Sequence, residues 1–145
     1  MAEEQLVEEL LAIAPYVSAI VMHPDTIERP EFFRALGHKL LLENMDKRKE
    51  VGTNRRDLEV LFAELPEAGF CFDIAHAWSI DPHMDVANEL LDVFGSRLRH
   101  VHLSSLSHEL HHIPLRPKDE VLFGPILQRC LDVPWIFEAP PRGIA

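Results

Sequence analysis

Four residues that can bind a metal each close a short apolar stretch of this chain. Carboxylates and imidazoles are the ligands that hard and borderline divalent cations prefer in proteins. The four residues, at the ends of stretches 40–43, 70–73, 100–102 and 135–138, are Glu43, Asp73, His102 and Glu138. If these ends meet in space, the pattern predicts one divalent-metal site.

The spacing of the four residues indicates how they can meet. Successive members are thirty, twenty-nine and thirty-six positions apart, and each interval holds one helix and one strand. The carboxyl ends of parallel strands lie at one rim of a sheet. Polar residues also mark strand ends simply because loops begin there, but four ligand types in succession favour the metal site.

Apolar periodicity predicts the elements that position these residues. We expect strands at 17–22, 39–43, 70–73, 98–103 and 133–138. We expect helices at 3–16, 30–36, 54–65, from Asp81-Pro82 to near Gly95, and between Pro117 and Leu131 with a disturbance at Gly124-Pro125.

Five apolar strands that alternate with helices predict the α/β class with parallel pairing. An open doubly wound sheet is one arrangement. Functional residues at the carboxyl ends of several strands favour the other, a parallel (β/α) barrel of TIM type. Five βα units cannot close a barrel that needs eight strands, so we expect residues 1–145 to form a single, incomplete barrel domain with open sheet edges.

Composition excludes several classes of protein. A hydrophobic fraction of 47% can build a core, and the net charge of −10 opposes non-specific binding to nucleic acid or anionic lipid. No stretch approaches the roughly 20 apolar residues of a membrane span, and no signal peptide is evident. The two cysteines are too few for a disulfide scaffold. We expect a cytoplasmic protein with a small-molecule partner.

Further polar residues lie close to the four ligands in sequence. His76 follows Asp73 by three positions, and His23 ends the first predicted strand. A histidine-rich loop spans 107–115, and Trp78 can line a sugar-binding wall or belong to the core. The basic segment 46–49 can meet a phosphate or carboxylate, although a solvated loop explains it equally simply.

Together these motifs resemble the xylose-isomerase-like TIM barrel superfamily, which holds sugar phosphate isomerases and epimerases and apurinic-site endonucleases. The motifs are Leu-Leu-Glu43-Asn44, Phe-Asp73-x-x-His76-Ala-Trp78, Val-His102-Leu and Phe-Glu138-Ala-Pro.

The resemblance implies roles for named residues. Glu43, Asp73, His102 and Glu138 are implied to bind one divalent ion, either Mn²⁺, Mg²⁺ or Co²⁺, with Glu43 and Glu138 as the acid/base pair for proton transfer next to a sugar carbonyl. Substrate contacts are expected from His76, Trp78 and His112. If His23, His76 and His112 also bind metal, Zn²⁺ becomes the expected ion.

The resemblance leaves alternatives open. The chain resembles an apurinic-site endonuclease in its His23-Pro24 pair, but it has Ser105 and Leu110 where such relatives often carry acids. About three strands and a final helix of a complete barrel are expected to be absent. The chain can therefore be a metal-dependent sugar or sugar phosphate isomerase or epimerase, an endonuclease relative, or a non-catalytic fragment. We expect a homo-oligomer or a partner chain to cover the open edges.

Overall fold

A computed structural model describes residues 2–140, in which short strands alternate with helices. The strands are β1 Ile20–Met22, β2 Leu40–Glu43, β3 Gly69–Asp73, β4 Leu98–Leu103, β5 Ser105–Leu106, β6 His112–Ile113 and β7 Trp135–Phe137. The helices are α1 Ala2–Ile13, α2 Pro30–Phe33, α3 Arg55–Glu64, α4 Ile74–Ile80, α5 Asp85–Phe94 and α6 Pro117–Leu127. Within residues 2–140, no helix is both long and apolar enough to cross a membrane.

Five of the strands form one parallel sheet in the order β1-β2-β3-β4-β7. This sheet is a half-barrel, which confirms the predicted class and the incomplete TIM-type barrel. All five predicted strands are present, although β1 and β7 are shorter than the sequence indicated. β5 and β6 make a separate antiparallel pair.

Strand residues alternate between two environments, as the pleat requires. Leu42, Phe72 and Val101 belong to the main hydrophobic core. Their neighbours Glu43 and His102 instead line a polar cavity on the other face of the sheet. The period of two therefore sends apolar residues to the core and the candidate ligands to the cavity.

Aromatic side chains build much of the core between the sheet and helices α3 and α5. The ring of Phe62 lies 5.0 Å from that of Phe94 and meets that of Phe70 edge to face at 6.3 Å. Phe70 is completely buried. This packing holds β3, and with it Asp73, in a fixed position below the cavity.

A β-bulge in β4 sets the direction of its histidines. Phe70 pairs with Leu98, but Cys71 pairs with His100, so the register shifts by one residue at Arg99. Because a bulge moves the following side chains to the opposite face, His102 is placed opposite Asp73.

The prediction of helix α3 is confirmed, and the helix begins at Arg55 with Asn54 as its N-cap. The side chain of Asn54 accepts a hydrogen bond from the backbone N–H of Asp57, which caps the helix. The start predicted for α5 was wrong. Asp81 accepts hydrogen bonds from the N–H groups of Asp85 and Val86, but the turn at Met84, with φ +67°, delays the helix to Asp85.

Two further expectations need correction. The predicted disturbance at Gly124-Pro125 is absent, and α6 runs unbroken from Pro117 to Leu127. No helix was expected directly after Asp73, but α4 begins there, at Ile74.

Candidate metal centre

Glu43 links two histidines through its two oxygens. Its Oε1 lies 3.1 Å from Nδ1 of His102, and its Oε2 lies 3.1 Å from Nε2 of His23. Glu138 Oε1 lies 2.8 Å from the same Nδ1 of His102. Residues from β2, β4 and the segments that follow β1 and β7 therefore converge at one place.

Asp73 lies at the base of this group with no exposed surface. Its Oδ1 accepts a hydrogen bond from the backbone N–H of His76 and caps helix α4. Its Oδ2 is buried and has no hydrogen-bond partner in the structure. Since buried carboxylate oxygens are normally satisfied, this oxygen is suited to bind a cation.

The ring of His76 is oriented by the backbone. Its Nδ1 lies 2.8 Å from the carbonyl oxygen of Asn44, an acceptor, so Nδ1 carries the proton and donates it. The other nitrogen, Nε2, is then free to act as a ligand and lies 3.5 Å from Oδ2 of Asp73. This is the arrangement that fixes a histidine tautomer for metal binding.

His112 approaches from the β5–β6 pair. Its Nδ1 lies 2.7 Å from the hydroxyl of Ser104, and its ring centroid is 5.3 Å from that of His76. The histidine-rich loop therefore contributes one residue, His112, to the cavity.

The candidate ligands form two groups that share Asp73. In one, ligand atoms of Glu43, Asp73 and His102 all lie within 4.8 Å of one another. In the other, ligand atoms of Asp73, His76 and His112 do so. This mixed set of carboxylates and imidazoles fits Zn²⁺, Mn²⁺ or Co²⁺.

Burial and pairing shift the ionisation of these groups in different directions. Burial opposes ionisation of Glu43, but hydrogen bonds with His102 and His23 outweigh it and hold its pKa below the ordinary value. Complete burial and the nearby charge of Glu43 raise the pKa of Asp73. The hydrogen bond with Glu43 raises the pKa of His23, whereas burial lowers that of His76. Without a cation, the site therefore favours ionisation of Glu43 and opposes that of Asp73.

The cavity above these ligands has a volume of about 380 Å³. It is lined by His23, Glu43, His102, Glu138 and basic residues of the loop after β2, among others. A more apolar cavity of about 290 Å³ lies at the amino-terminal end of the strands, beside Leu40 and Ala68, and no candidate ligand lines it. Of these two cavities, only the first is lined by candidate ligands.

Trp78 is placed differently from the other candidates. It packs against the small apolar cluster of Ala75, Leu106 and Leu110 and is not among the residues that line the cavity. Its substrate contact stays a prediction.

Three supporting residues were not identified from the sequence. The Asn44 side chain pairs with the backbone N–H and C=O of Asp73, at 2.8 and 2.9 Å. Asp46 is buried beside His76, with Oδ2 3.9 Å from Nε2. Ser104 contacts His112. The position of Asn44 and Asp46 just after Glu43 was the only available signal, since their partners are distant in sequence.

Comparison with known proteins agrees with this architecture. The crystal structure of endonuclease IV from Thermus thermophilus is similar with a TM-score of 0.63 and 28% identity, covering 88% of this chain and 56% of that one. The crystal structure of AsfvAP:AG is similar in fold, with a TM-score of 0.59, 17% identity and coverage of 95% and 60%. The chain thus spans less than two thirds of either protein. No curated protein sequence matches it.

A family comparison covers most of the chain and includes every candidate ligand except His23. Residues 28–139 match the family described as xylose isomerase-like TIM barrel. The half-barrel and the buried His, Asp and Glu cluster, a possible metal site, agree with that match. The chain belongs to the xylose isomerase-like TIM barrel family.

Proposed function

We propose that this chain carries a divalent-metal centre for sugar isomerase or epimerase chemistry, in which a proton is moved next to a carbonyl. The observation that carries the proposal is the meeting of Glu43 and Glu138 at Nδ1 of His102, at 3.1 and 2.8 Å. Two carboxylates at one cavity can serve as the acid and the base of such a reaction.

Glu43, Asp73, His102 and Glu138 would hold the ion. When bound, a divalent ion supplies Lewis-acid polarisation of a carbonyl and its adjacent hydroxyl. Glu138, whose side chain is 30% exposed, can reach a substrate C–H bond and take its proton on a carboxylate oxygen. Glu43 is almost buried and contacts both His23 and His102, so it is suited to orient these histidines, and the family resemblance makes it the second partner of the proton exchange.

The size and charge of the molecule support a small substrate. A cavity of about 380 Å³ lies in the range of small-molecule sites. The net charge of −10 opposes binding to long nucleic acids.

A second candidate function is phosphate-ester hydrolysis at abasic sites in DNA. It is favoured by the second donor group of Asp73, His76 and His112, since two neighbouring ions suit hydrolysis of phosphate esters. The likeness to endonuclease IV also supports it.

Isotope exchange distinguishes the two functions. In deuterated buffer with Mn²⁺, an isomerase or epimerase incorporates deuterium beside the carbonyl of a ketose or ketose phosphate. We expect Glu138→Gln to reduce the rate of deuterium incorporation by at least about a hundredfold, the usual contribution of a general base. Glu59→Gln, which changes an exposed glutamate paired with Arg55, serves as the control.

No exchange with any short ketose or its phosphate, together with incision of an abasic oligonucleotide, would favour the second function. If the chain shows neither activity, the non-catalytic alternative remains.

A further inference from the structure

The loop after β2 carries basic side chains that line the same cavity as the candidate ligands. We propose that Arg48 and Lys49 form an anion subsite that binds the phosphate group of a phosphorylated sugar beside the metal centre. The proposal deepens the proposed function by naming the substrate class, and it rests on that function only for the position of the sugar.

Arg48 is held by a buried carboxylate. Asp46, with 2% exposure, accepts hydrogen bonds from Nε and Nη2 of Arg48, at 2.9 and 2.8 Å, and from its backbone N–H at 2.9 Å. This bidentate pair fixes the guanidinium plane. The Arg48 side chain is nevertheless 50% exposed, and Nη1 takes no part in the pair. Arg48 therefore presents further donors from a fixed position.

Lys49 is fixed in a similar way by a residue from another segment. Its Nζ lies 2.8 Å from Oδ2 of Asp25, and its backbone N–H donates to the carbonyl oxygen of Asp46. Its side chain is 38% exposed. Both cations are thus paired with an acid and retain exposed surface.

The loop that carries them is tied down along its length. The N–H of Met45 donates to the carbonyl of Gly52 at 2.8 Å, and the N–H of Lys47 donates to the hydroxyl of Ser79 at 3.1 Å. Gly52 has φ +89°, and a Cβ there would lie 2.9 Å from Pro24. A simple solvated loop needs none of these anchors, whereas a pre-organised binding loop does.

Two cations in an otherwise acidic cavity mark the place where an anionic group can bind. The candidate metal ligands include three carboxylates, and Asp46 adds a fourth acid. Arg48 and Lys49 are the only arginine and lysine among the described residues lining this cavity. A guanidinium with free N–H donors beside an ammonium group matches a phosphate, which accepts several hydrogen bonds at once. Asp46 is accordingly a positioning residue, since it acts through Arg48.

Calorimetric titration of inorganic phosphate into the full chain tests the subsite. We expect Arg48→Gln to weaken phosphate binding by at least about tenfold, the effect of losing hydrogen bonds to a charged group. Lys49→Gln should weaken it several-fold. Arg55→Gln is the matched control, because Arg55 pairs with Glu59 at 2.8 Å and is equally exposed at 49%, but does not line the cavity.

The same titration in an Asp73→Asn background separates the subsite from the metal centre. If the chain binds no metal but has the anion subsite, Arg48→Gln still weakens phosphate binding in the Asp73→Asn background. A ketose phosphate should also bind at least about tenfold more tightly than the same ketose without phosphate. Equal phosphate affinity in Arg48→Gln, Lys49→Gln and Arg55→Gln would overturn the proposed subsite. If Arg48→Gln does not fold, the comparison of Lys49→Gln with Arg55→Gln decides.

Discussion

Glu43 and His102 are 59 residues apart in the sequence, yet their side chains meet at 3.1 Å. The contact crosses the sheet from β2 to β4, two strands that are separated by β3. It exists because parallel strands bring their carboxyl ends to one rim, and there the two residues meet Glu138 and His23.

Asp73→Asn should stabilise the metal-free protein at neutral pH. The folded state raises the pKa of Asp73, so the free energy of unfolding falls as the pH rises from the unfolded pKa towards the folded one. Asparagine keeps the cap on α4 and removes this loss. In the presence of a chelator, denaturant unfolding should therefore show a stability difference in favour of Asp73→Asn that grows as the pH rises above about 4. A difference that shrinks with rising pH would contradict this account of Asp73.

Asp119→Ala should destabilise the protein through helix α6. Asp119 accepts hydrogen bonds from the backbone N–H and the guanidinium of Arg116, at 2.9 and 2.8 Å, and it is 2% exposed. We expect a loss of about 1–2 kcal/mol in the free energy of unfolding at neutral pH. Asp92→Ala, at an exposed pair with Arg129, should cost less than about 1 kcal/mol.

The effect of Asp119→Ala should depend on pH. Burial opposes ionisation of Asp119, but hydrogen bonds from Arg116 outweigh it and lower the pKa. Its stabilisation is therefore fully present above the unfolded pKa of about 3.9 and is lost as the pH falls through the folded value. Unfolding of the unsubstituted chain and of Asp119→Ala at decreasing pH should show that their difference in the free energy of unfolding closes below about pH 4. A gap that widens there would exclude this role.

The open edge of the sheet predicts self-association. Within residues 2–140, β1 and β7 are the edge strands, and Trp135, Ile136 and Phe137 of β7 are 37, 39 and 53% exposed. β7 bonds to β4 through the carbonyl of Pro134 and the N–H of Glu138, so its other edge is available to a further strand. We propose that a second copy covers this edge, since the β1 edge of that copy can pair with it in parallel.

Analytical ultracentrifugation checks this association. We expect a dimer or larger species that Phe137→Ser weakens, while Val121→Ser, which changes a side chain that is 80% exposed on α6, leaves it intact. A chain that remains monomeric at high concentration would contradict the proposal.

The sequence predicted the strands and the candidate ligands at their ends because both signals are local. An apolar run followed by a ligand residue marks the exit of a buried strand, as at Glu43 and Asp73. His23, His76 and His112, expected as possible further metal ligands, also line the cavity, and their roles stay predictions.

The missed features depend on distant partners or very short elements. Helix α4 is seven residues long, and the sequence pattern around its N-cap, Asp73, indicates only a ligand. β5 and β6 contain two residues each, too few for periodicity. The role of Asn44 depends on the backbone of Asp73, 29 residues away. Such contacts become visible only when the fold brings the segments together.

The ion content of the protein tests the central claim most directly. Plasma mass spectrometry of the full chain, purified without chelator and dialysed, should find at least one divalent ion per chain. Glu43→Ala should lose this ion, whereas the control Glu59→Ala should retain it. A folded chain without bound divalent ions, both as purified and after incubation with Mn²⁺ or Zn²⁺, would contradict the proposed centre.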